Sequence, residues 1–476
     1  MKSIAHSPAT TARDERRNPV EFSRAPVAVL GGGISGLALA AWLNRSGVEA
    51  VVLEKSDRPG GVIASERVDG FAFERGPNTV LDRCASLDES IEWAGLGADV
   101  RRVALKGQAR YIWHGGRLHR VPSGPGSLLT TRLFSLGGKL RLLREPWVAP
   151  LAGDETIESF AIRRFGREVY ERAVAPMVAG VGAGDPSRLS VAASFPALKE
   201  MERETGSVLR GFIRRMKAAR RSDERRSTSM VSFVGGLESL PLALANRLGD
   251  SLHLDFDVRA IRPDGAGFAV EGMQSGEPTR VFAERVVLCA EADVVAGWIA
   301  DLEPAAAARL AAVDYCPLVQ IGLGVERDSL RLPEGFGFLS ALGSDLRAIG
   351  AIFVSNIFPD RAPEGCATLS VMLGGDLDPE AAEFDDATLI ETMRRDLKRA
   401  LQWNGRFRAL YVARWPRAIP QYRVNHAELV RSIDEVETRR PGLRFFGNWR
   451  DAAAIGERIE RARRLAERIA AEVGRS

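Results

Sequence analysis

The chain has 476 residues, 45% of them hydrophobic, enough to bury a sizeable core and to divide into two or three domains. Lys and Arg total 66 against 62 Asp and Glu, so the small net charge of +4 gives no argument for a nucleic-acid partner. Cys84, Cys289, Cys316 and Cys366 lie far apart, with no CxxC or His spacing; neither a metal site nor a disulfide framework is indicated, and a reducing, cytoplasmic setting fits.

Residues 1–24 are polar and lack the apolar core of a secretory signal, which predicts a disordered arm. No stretch approaches the roughly 18 uncharged apolar residues of a spanning helix, so any membrane contact is expected at the surface. Val27 to Leu30 then reads as a short buried strand, and Gly31, Gly33 and Gly36 follow at GxGxxG spacing as a helix opens through Ile34 and Ser35. The first glycine permits the tight turn, the second lets backbone approach a pyrophosphate, and the third lets the helix pack close to the sheet. The helix N-terminus offers unpaired N–H groups to the anion. Ala50 to Leu53 is an apolar strand ending in Glu54, eighteen residues beyond Gly36, where a carboxylate can hold ribose hydroxyls. The ordered set predicts a dinucleotide-binding βαβ unit.

Beyond Glu54 and Lys55 come a second glycine turn, Arg58-Pro59-Gly60-Gly61, and later Gly76-Pro77-Asn78. The periodicity predicts a helix over 85–96 and a hairpin over 111–122 opened by Arg110. Residues 127–170 read as helical, with leucines interleaved with Arg132, Lys139, Arg141 and Arg144. Two readings stand for that segment: a packed helix pair with a solvated basic face, or a surface resting on an anionic bilayer. Residues 179–185 are too glycine-rich to predict regular structure, so backbone there approaches something closely or forms a flexible loop. Helical spacing resumes over 197–220, and the run 220–226 is charged without aromatics, which predicts a solvated linker. A helix over 237–248, a strand over 252–258 and further strands to 290 return to the nucleotide unit. Residues 313–375 alternate apolar runs with turns, predicting an antiparallel sheet. Ile455, Ile459, Ala462, Leu465, Ile469 and Val473 mark the buried stripe of a last helix.

Gly31 to Leu37, Gly76-Pro77-Asn78, Ala179-Gly180, Gly335 to Leu339, Phe358 to Arg361, Gly374-Gly375 and Ile419 to Tyr422 occur in an order that resembles the protoporphyrinogen oxidase family of the flavin amine oxidase superfamily. The resemblance runs from Val27 to the last helix. It implies an α/β fold: a Rossmann-type FAD-binding domain (25–78, 229–300 and 406–476), an antiparallel-sheet substrate domain (79–105 and 300–405) and a helical insert (106–228). FAD would contact the glycine motif with Ile34 and Ser35, Glu54, Lys55, Arg58, Gly60, Gly61, the Gly76-Pro77-Asn78 turn, Val258, Trp415, Gly447, Asn448 and Ala452-Ala453-Ala454. Val258 would hold adenine through its backbone. The last helix would point its N-terminus at the flavin, where its dipole stabilises the negative charge of the reduced ring by about 0.3 to 1 kcal/mol.

For the substrate, the resemblance implies a tetrapyrrole with a propionate on Arg110, Ala179 and Gly180 beneath the macrocycle, and Gly337, Leu339, Ile352 and Met372 as apolar walls. Protoporphyrinogen IX would be oxidised by O2 in haem synthesis. Coproporphyrinogen III is the close alternative, with Arg188 or Arg347 as a second cation at the mouth. An amine-oxidising relative would instead use an aromatic pair, for which Trp415 and Tyr422 are the candidates. A non-catalytic FAD-binding protein is the third reading. No side chain is placed as an evident general base. Peripheral membrane association and a homodimer complete the expectations. Ala452 stands where the family commonly has glycine, and Asp451 is either an N-cap or a charge facing the flavin.

Overall fold

The computed structural model describes residues 20–219 and 229–474. The expected arm falls on residues 1–19, outside the described residues, except that residues 20–24 are ordered as the start of the opening strand, Val20–Leu30. The charged run 220–226 also lies outside them.

Val27-Ala28-Val29-Leu30 and Ala50–Leu53 are apolar on both faces, and such strands are stable only with both faces covered. They pair in parallel, Val27 opposite Ala50 and Leu30 opposite Leu53. The other edge of the opening strand pairs in parallel with Glu277–Leu288, Leu30 opposite Leu288. Leu252–His253, Gly267–Gln274, Phe256–Asp264 and Leu443–Phe445 complete this seven-stranded sheet. Leu37, Leu39, Leu43, Leu244 and Ile459 fill one face, while Phe256, Val295, Ile433 and Trp449 fill the other. The closing helix, Ile455–Val473, buries five of its six predicted stripe residues, with Val473 partly exposed. The strand expected over 252–258 is two strands, broken at Asp255, which has a left-handed backbone.

The second seven-stranded sheet runs in the order Phe407–Pro420, Tyr315–Glu326, Cys366–Gly374, Gly350–Ile352, Gly337–Ser340, Arg110–His114 and Arg117–Arg120. Every pairing is antiparallel except that of Gly337–Ser340 with Arg110–His114. Two segments therefore sit elsewhere than expected. The hairpin, grouped above with the helical insert, and residues 407–420, grouped with the nucleotide unit, are strands of this sheet. Helix Asp386–Leu401 covers one face with Leu389, Met393 and Leu397.

The insert consists of short helices, among them Pro125–Thr130, Leu136–Leu143, Ile157–Phe165, Ala175–Gly182, Pro196–Thr205 and Val208–Ala219. Helix Ala175–Gly182 corrects the expectation of irregular chain over 179–185, because burial of Ala175, Pro176 and Val178 outweighs the glycine penalty until Ala183 turns left-handed. The helix expected over 197–220 is broken at Gly206, which has φ +71°. At the insert's centre, fully buried Arg164 bonds Glu145 at 3.1 Å and Glu202 at 2.8 Å. Glu145 also accepts the Val208 N–H at 2.8 Å.

Candidate cofactor and substrate site

The first glycine turn is shaped by contacts that leave no room for a side chain. Gly31 has φ +114° and donates its N–H to Leu53 O at 2.8 Å, and a Cβ there would lie 2.6 Å from the Cys289 carbonyl oxygen. A Cβ on Gly36 would lie 1.9 Å from the Gly31 carbonyl oxygen. Gly33 differs, since a Cβ there would meet nothing within 4 Å. The helix that follows, Ile34–Arg45, has no side-chain N-cap and no acidic residue in its first turn, so its leading N–H groups face that open ground. The second turn locks on: Gly60 donates to Gly32 O at 2.8 Å, and the Arg58 guanidinium is held by Gly61 O at 2.6 Å.

Glu54 ends its strand beside this turn, one carboxylate oxygen accepting the Gly32 N–H at 2.5 Å and the other the Ser56 N–H at 2.8 Å. Lys55 is exposed and pairs with Asp257 at 3.4 Å. Val258 is buried on the adjoining strand, but its carbonyl accepts the Trp298 indole N–H at 2.9 Å, so part of the backbone expected to face adenine is engaged within the chain.

Gly76-Pro77-Asn78 is fixed from several sides. A Cβ on Gly76 would lie 2.5 Å from Val62 O. Trp415 donates its indole N–H to Arg75 O at 2.7 Å, and Gln320 donates to Glu74 O at 2.8 Å. Burial pushes the Glu74 carboxyl up to about 7, against the pull of Arg361 at 3.4 Å. Asn78 Oδ1 and Arg75 Nε are buried in this turn with no partner. At the chain's other end, Tyr422 donates its hydroxyl to Asn448 O, and Gly447 packs so that a Cβ would lie 2.9 Å from the Trp449 indole nitrogen. Asp451 is not an N-cap: it accepts the Gly447 N–H at 3.0 Å, closing that turn, and burial raises its pKa. Ala454 is the capping residue, Ala453 and Ala454 are exposed, Ala452 is buried, and the helix N-terminus has no side-chain cap.

These features fit a dinucleotide with a polar ring system. Two uncapped helix N-termini and the open Gly33 suit anionic groups, and the orphaned acceptor of Asn78 and donor of Arg75 suit a ring edge carrying both donors and acceptors.

The residues expected to hold a macrocycle share one face of the second sheet. Gly337 stands opposite Arg110 on one side and Ile352 on the other, and Ile352 stands opposite Ser370. Two residues along, Leu339 stands opposite Ile112 and Gly350, and Gly350 opposite Met372. Strand side chains alternate faces, so Arg110, Leu339, Ile352, Ser370 and Met372 project to one side, while Phe338, Ala351 and Val371 fill the core on the other. Gln320, opposite Met372, lies on the same side and reaches the turn before Asn78. Gly180 meets this face directly: a Cβ there would lie 2.4 Å from Leu339 Cδ2. Ala179 precedes it, half-exposed. Arg110 is exposed, lies 5.9 Å from the Phe336 ring centroid, and has no carboxylate partner among the described residues. Gln320 and Ser370 lie on this face without having been expected there; for Gln320 the available signal was a lone polar side chain among the apolar residues 316–325, whereas Ser370 shares its strand with Thr368 and offered no such signal. Arg188 and Arg347 are committed elsewhere, Arg188 to Asp376 at 3.5 Å and Arg347 to Asp378 at 2.6 Å. Trp415 and Tyr422 have separate tasks, for the Tyr422 ring stacks on His426 at 4.4 Å.

Residues 34–474 match the family model of flavin containing amine oxidoreductases. Protoporphyrinogen oxidase 1 of Spinacia oleracea chloroplasts is 30% identical over 464 residues, covering 91% of this chain and 82% of that protein. Coproporphyrinogen III oxidase of Bacillus subtilis (strain 168) is 25% identical over 457 residues, covering 92% and 96%. A crystal structure from Exiguobacterium sp. 255-15 shares the fold with a TM-score of 0.79 at 23% identity, over 94% of this chain and 99% of that one. A family match over nearly the whole chain, with the geometry above, makes this protein an FAD-dependent oxidoreductase of the flavin containing amine oxidoreductase family, in its porphyrinogen oxidase branch.

Proposed function

We propose that this enzyme oxidises protoporphyrinogen IX to the porphyrin, with O2 as electron acceptor, in haem synthesis. The observation that carries the reading is the single sheet face bearing Arg110, Leu339, Ile352 and Met372, linked through Gln320 to Glu74 O, two residues before the Gly76-Pro77-Asn78 turn. A porphyrinogen is a broad apolar macrocycle with acidic arms, and it calls for aliphatic walls and a fixed cation at the rim. Leu339, Ile352 and Met372 give the walls, the Ala179-Gly180 backbone brings the insert close to them, and Arg110 binds a propionate. Glu54 and the glycine turns, with Ile34, Ser35, Lys55, Arg58, Gly60 and Gly61, seat the adenosine and phosphates of FAD. Pro77, Asn78, Trp415, Gly447, Asn448 and Ala452 to Ala454 surround its ring. FAD held there would supply the acceptor for a hydride from a meso carbon, each of three rounds ending in reduction of O2 to hydrogen peroxide.

Coproporphyrinogen III carries two further propionates. Arg188 and Arg347, the candidate cations for them, are neutralised by aspartates, which favours the substrate with fewer acidic arms. The test offers each porphyrinogen in air to the purified protein and follows porphyrin fluorescence above autoxidation. Faster turnover of coproporphyrinogen would overturn the assignment.

No helix among the described residues is long and apolar enough to cross a membrane. The insert nevertheless exposes Leu136 (79%), Leu140, Leu143 and Trp147 (78%) on adjoining elements, continuing to Phe212 and Ile213, with Arg132, Lys139 and Arg144 beside them. This face is proposed to rest on an anionic bilayer. Arg141 takes no part, because it donates to the Arg163 and Arg164 carbonyls at 2.6 and 3.2 Å. Sedimentation with anionic vesicles should fall in a Leu136→Glu, Trp147→Glu variant; equal binding by both proteins, or none, would remove the proposal.

A further inference from the structure

Three arginines are buried among the described residues, and only two of them are compensated. Arg164 is paired with Glu145 and Glu202. Arg361 bonds Ser232 Oγ at 2.6 Å and Phe233 O at 2.9 Å, with Glu74 at 3.4 Å. The third, Arg458, lies in the first turn of the closing helix and is 8% exposed. Its Nε has no hydrogen-bond partner, and no carboxylate comes within ion-pair distance among the described residues. The charged and titratable groups that act on it are Tyr422, whose hydroxyl is given to Asn448 O, and Asp451, whose carboxylate accepts the Gly447 N–H. Burial lowers its pKa to about 10, so it stays charged at neutral pH.

An uncompensated buried guanidinium is strongly unfavourable unless something outside the chain completes it. Its position says what that is. The turn that carries Arg458 packs on the strand after Asn78: a Cβ on Gly456 would lie 2.6 Å from the Leu81 carbonyl oxygen. Two residues on, Arg458 faces away from that strand, on the side of Tyr422 and Asp451, whose bonds to Asn448 O and the Gly447 N–H hold the Gly447-Asn448 turn placed around the ring. The pyrimidine edge of a flavin carries carbonyl acceptors and an N–H donor together, and it takes on negative charge when the ring is reduced.

We propose that Arg458 is the cation that compensates this charge, setting the reduction potential of the bound FAD beyond what the helix dipole alone provides. The inference needs FAD but not the identity of the porphyrinogen, so it can fail while the proposed substrate stands, and the reverse. The test compares holoenzyme carrying Arg458, Arg458→Lys and Arg458→Met by dye-equilibrated redox titration and by sulfite binding, since sulfite added to the flavin puts negative charge on the same edge. We expect Arg458→Met to bind sulfite about tenfold more weakly and its potential to fall correspondingly, by about 30 mV for a two-electron couple. Arg458→Lys should retain most of both. Melting of the apoprotein gives an independent reading: Arg458→Met should melt higher without FAD and gain less when FAD is added. Unchanged potential and sulfite affinity in an FAD-replete Met variant would overturn the proposal, as would a lower apoprotein melting temperature. Should the Met variant not retain FAD, equal sulfite affinity in Arg458→Lys and Arg458→Gln would overturn it in the same way.

Discussion

Replacing Arg110 with alanine should separate substrate binding from cofactor binding. Arg110 opens a strand at the rim of the macrocycle face, carries no carboxylate partner among the described residues, and touches neither glycine turn. Its removal therefore breaks no ion pair and leaves no buried group orphaned. What is lost is a charge-assisted, bidentate hydrogen bond to a propionate, worth about 1.5 to 3 kcal/mol. Solvent screening at this exposed position points to the lower half of that range. At about 1.4 kcal/mol per factor of ten, KM for protoporphyrinogen should rise roughly tenfold to fortyfold while kcat changes little. The assay is initial-rate porphyrin fluorescence, run beside FAD content from the visible spectrum. An unchanged KM, or a loss confined to kcat with normal FAD content, would refute the propionate role.

Other perturbations act on separate parts of the molecule. Gly36→Ala places a methyl 1.9 Å from the Gly31 carbonyl oxygen, so the purified variant should be colourless or insoluble; normal FAD content would contradict the packing role of that glycine. Burial pushes the Glu202 carboxyl up, but bonds from Lys199, Arg163 and Arg164 outweigh it and hold its pKa at about 2, below the ordinary 4.5. A depressed carboxyl contributes stability that is present above about pH 4.5 and lost as pH falls toward 2; at 1.36 kcal/mol per unit the shift is worth about 3 kcal/mol. Denaturant unfolding of wild type across that window should show the loss, and Glu202→Gln should be less stable at pH 7 with a flatter acid limb; parallel curves would contradict it. Gly180→Leu would drive a side chain into Leu339, and steady-state kinetics should show turnover lost with FAD retained, whereas normal turnover would exclude close approach there.

The nucleotide unit was legible because its chemistry is local. Gly36, Glu54 and the Gly31 N–H act on backbone atoms supplied by one βαβ crossover, and these roles follow from sequence spacing; only the Cys289 carbonyl against Gly31 comes from a distant strand. The second sheet was harder to read. Arg110–His114 joins it by pairing with Gly337–Ser340, a contact between distant parts of the chain that no local pattern encodes. Family resemblance named Leu339, Ile352 and Met372, but only the strand register shows that they share a face with Arg110. Glycines misled the reading of residues 179–185, since tertiary burial of Val178 and its neighbours holds the helix. Arg458 was invisible for a related reason: among the many charged residues of the closing helix, only its position on the buried stripe distinguishes it.

Anaerobic mixing of the purified holoprotein with protoporphyrinogen IX tests the central claim most directly, with flavin absorbance followed in time. The account predicts bleaching of the bound flavin and, once O2 is admitted, recovery of the oxidised spectrum with porphyrin formed. A flavin that dithionite bleaches but no porphyrinogen does would contradict it.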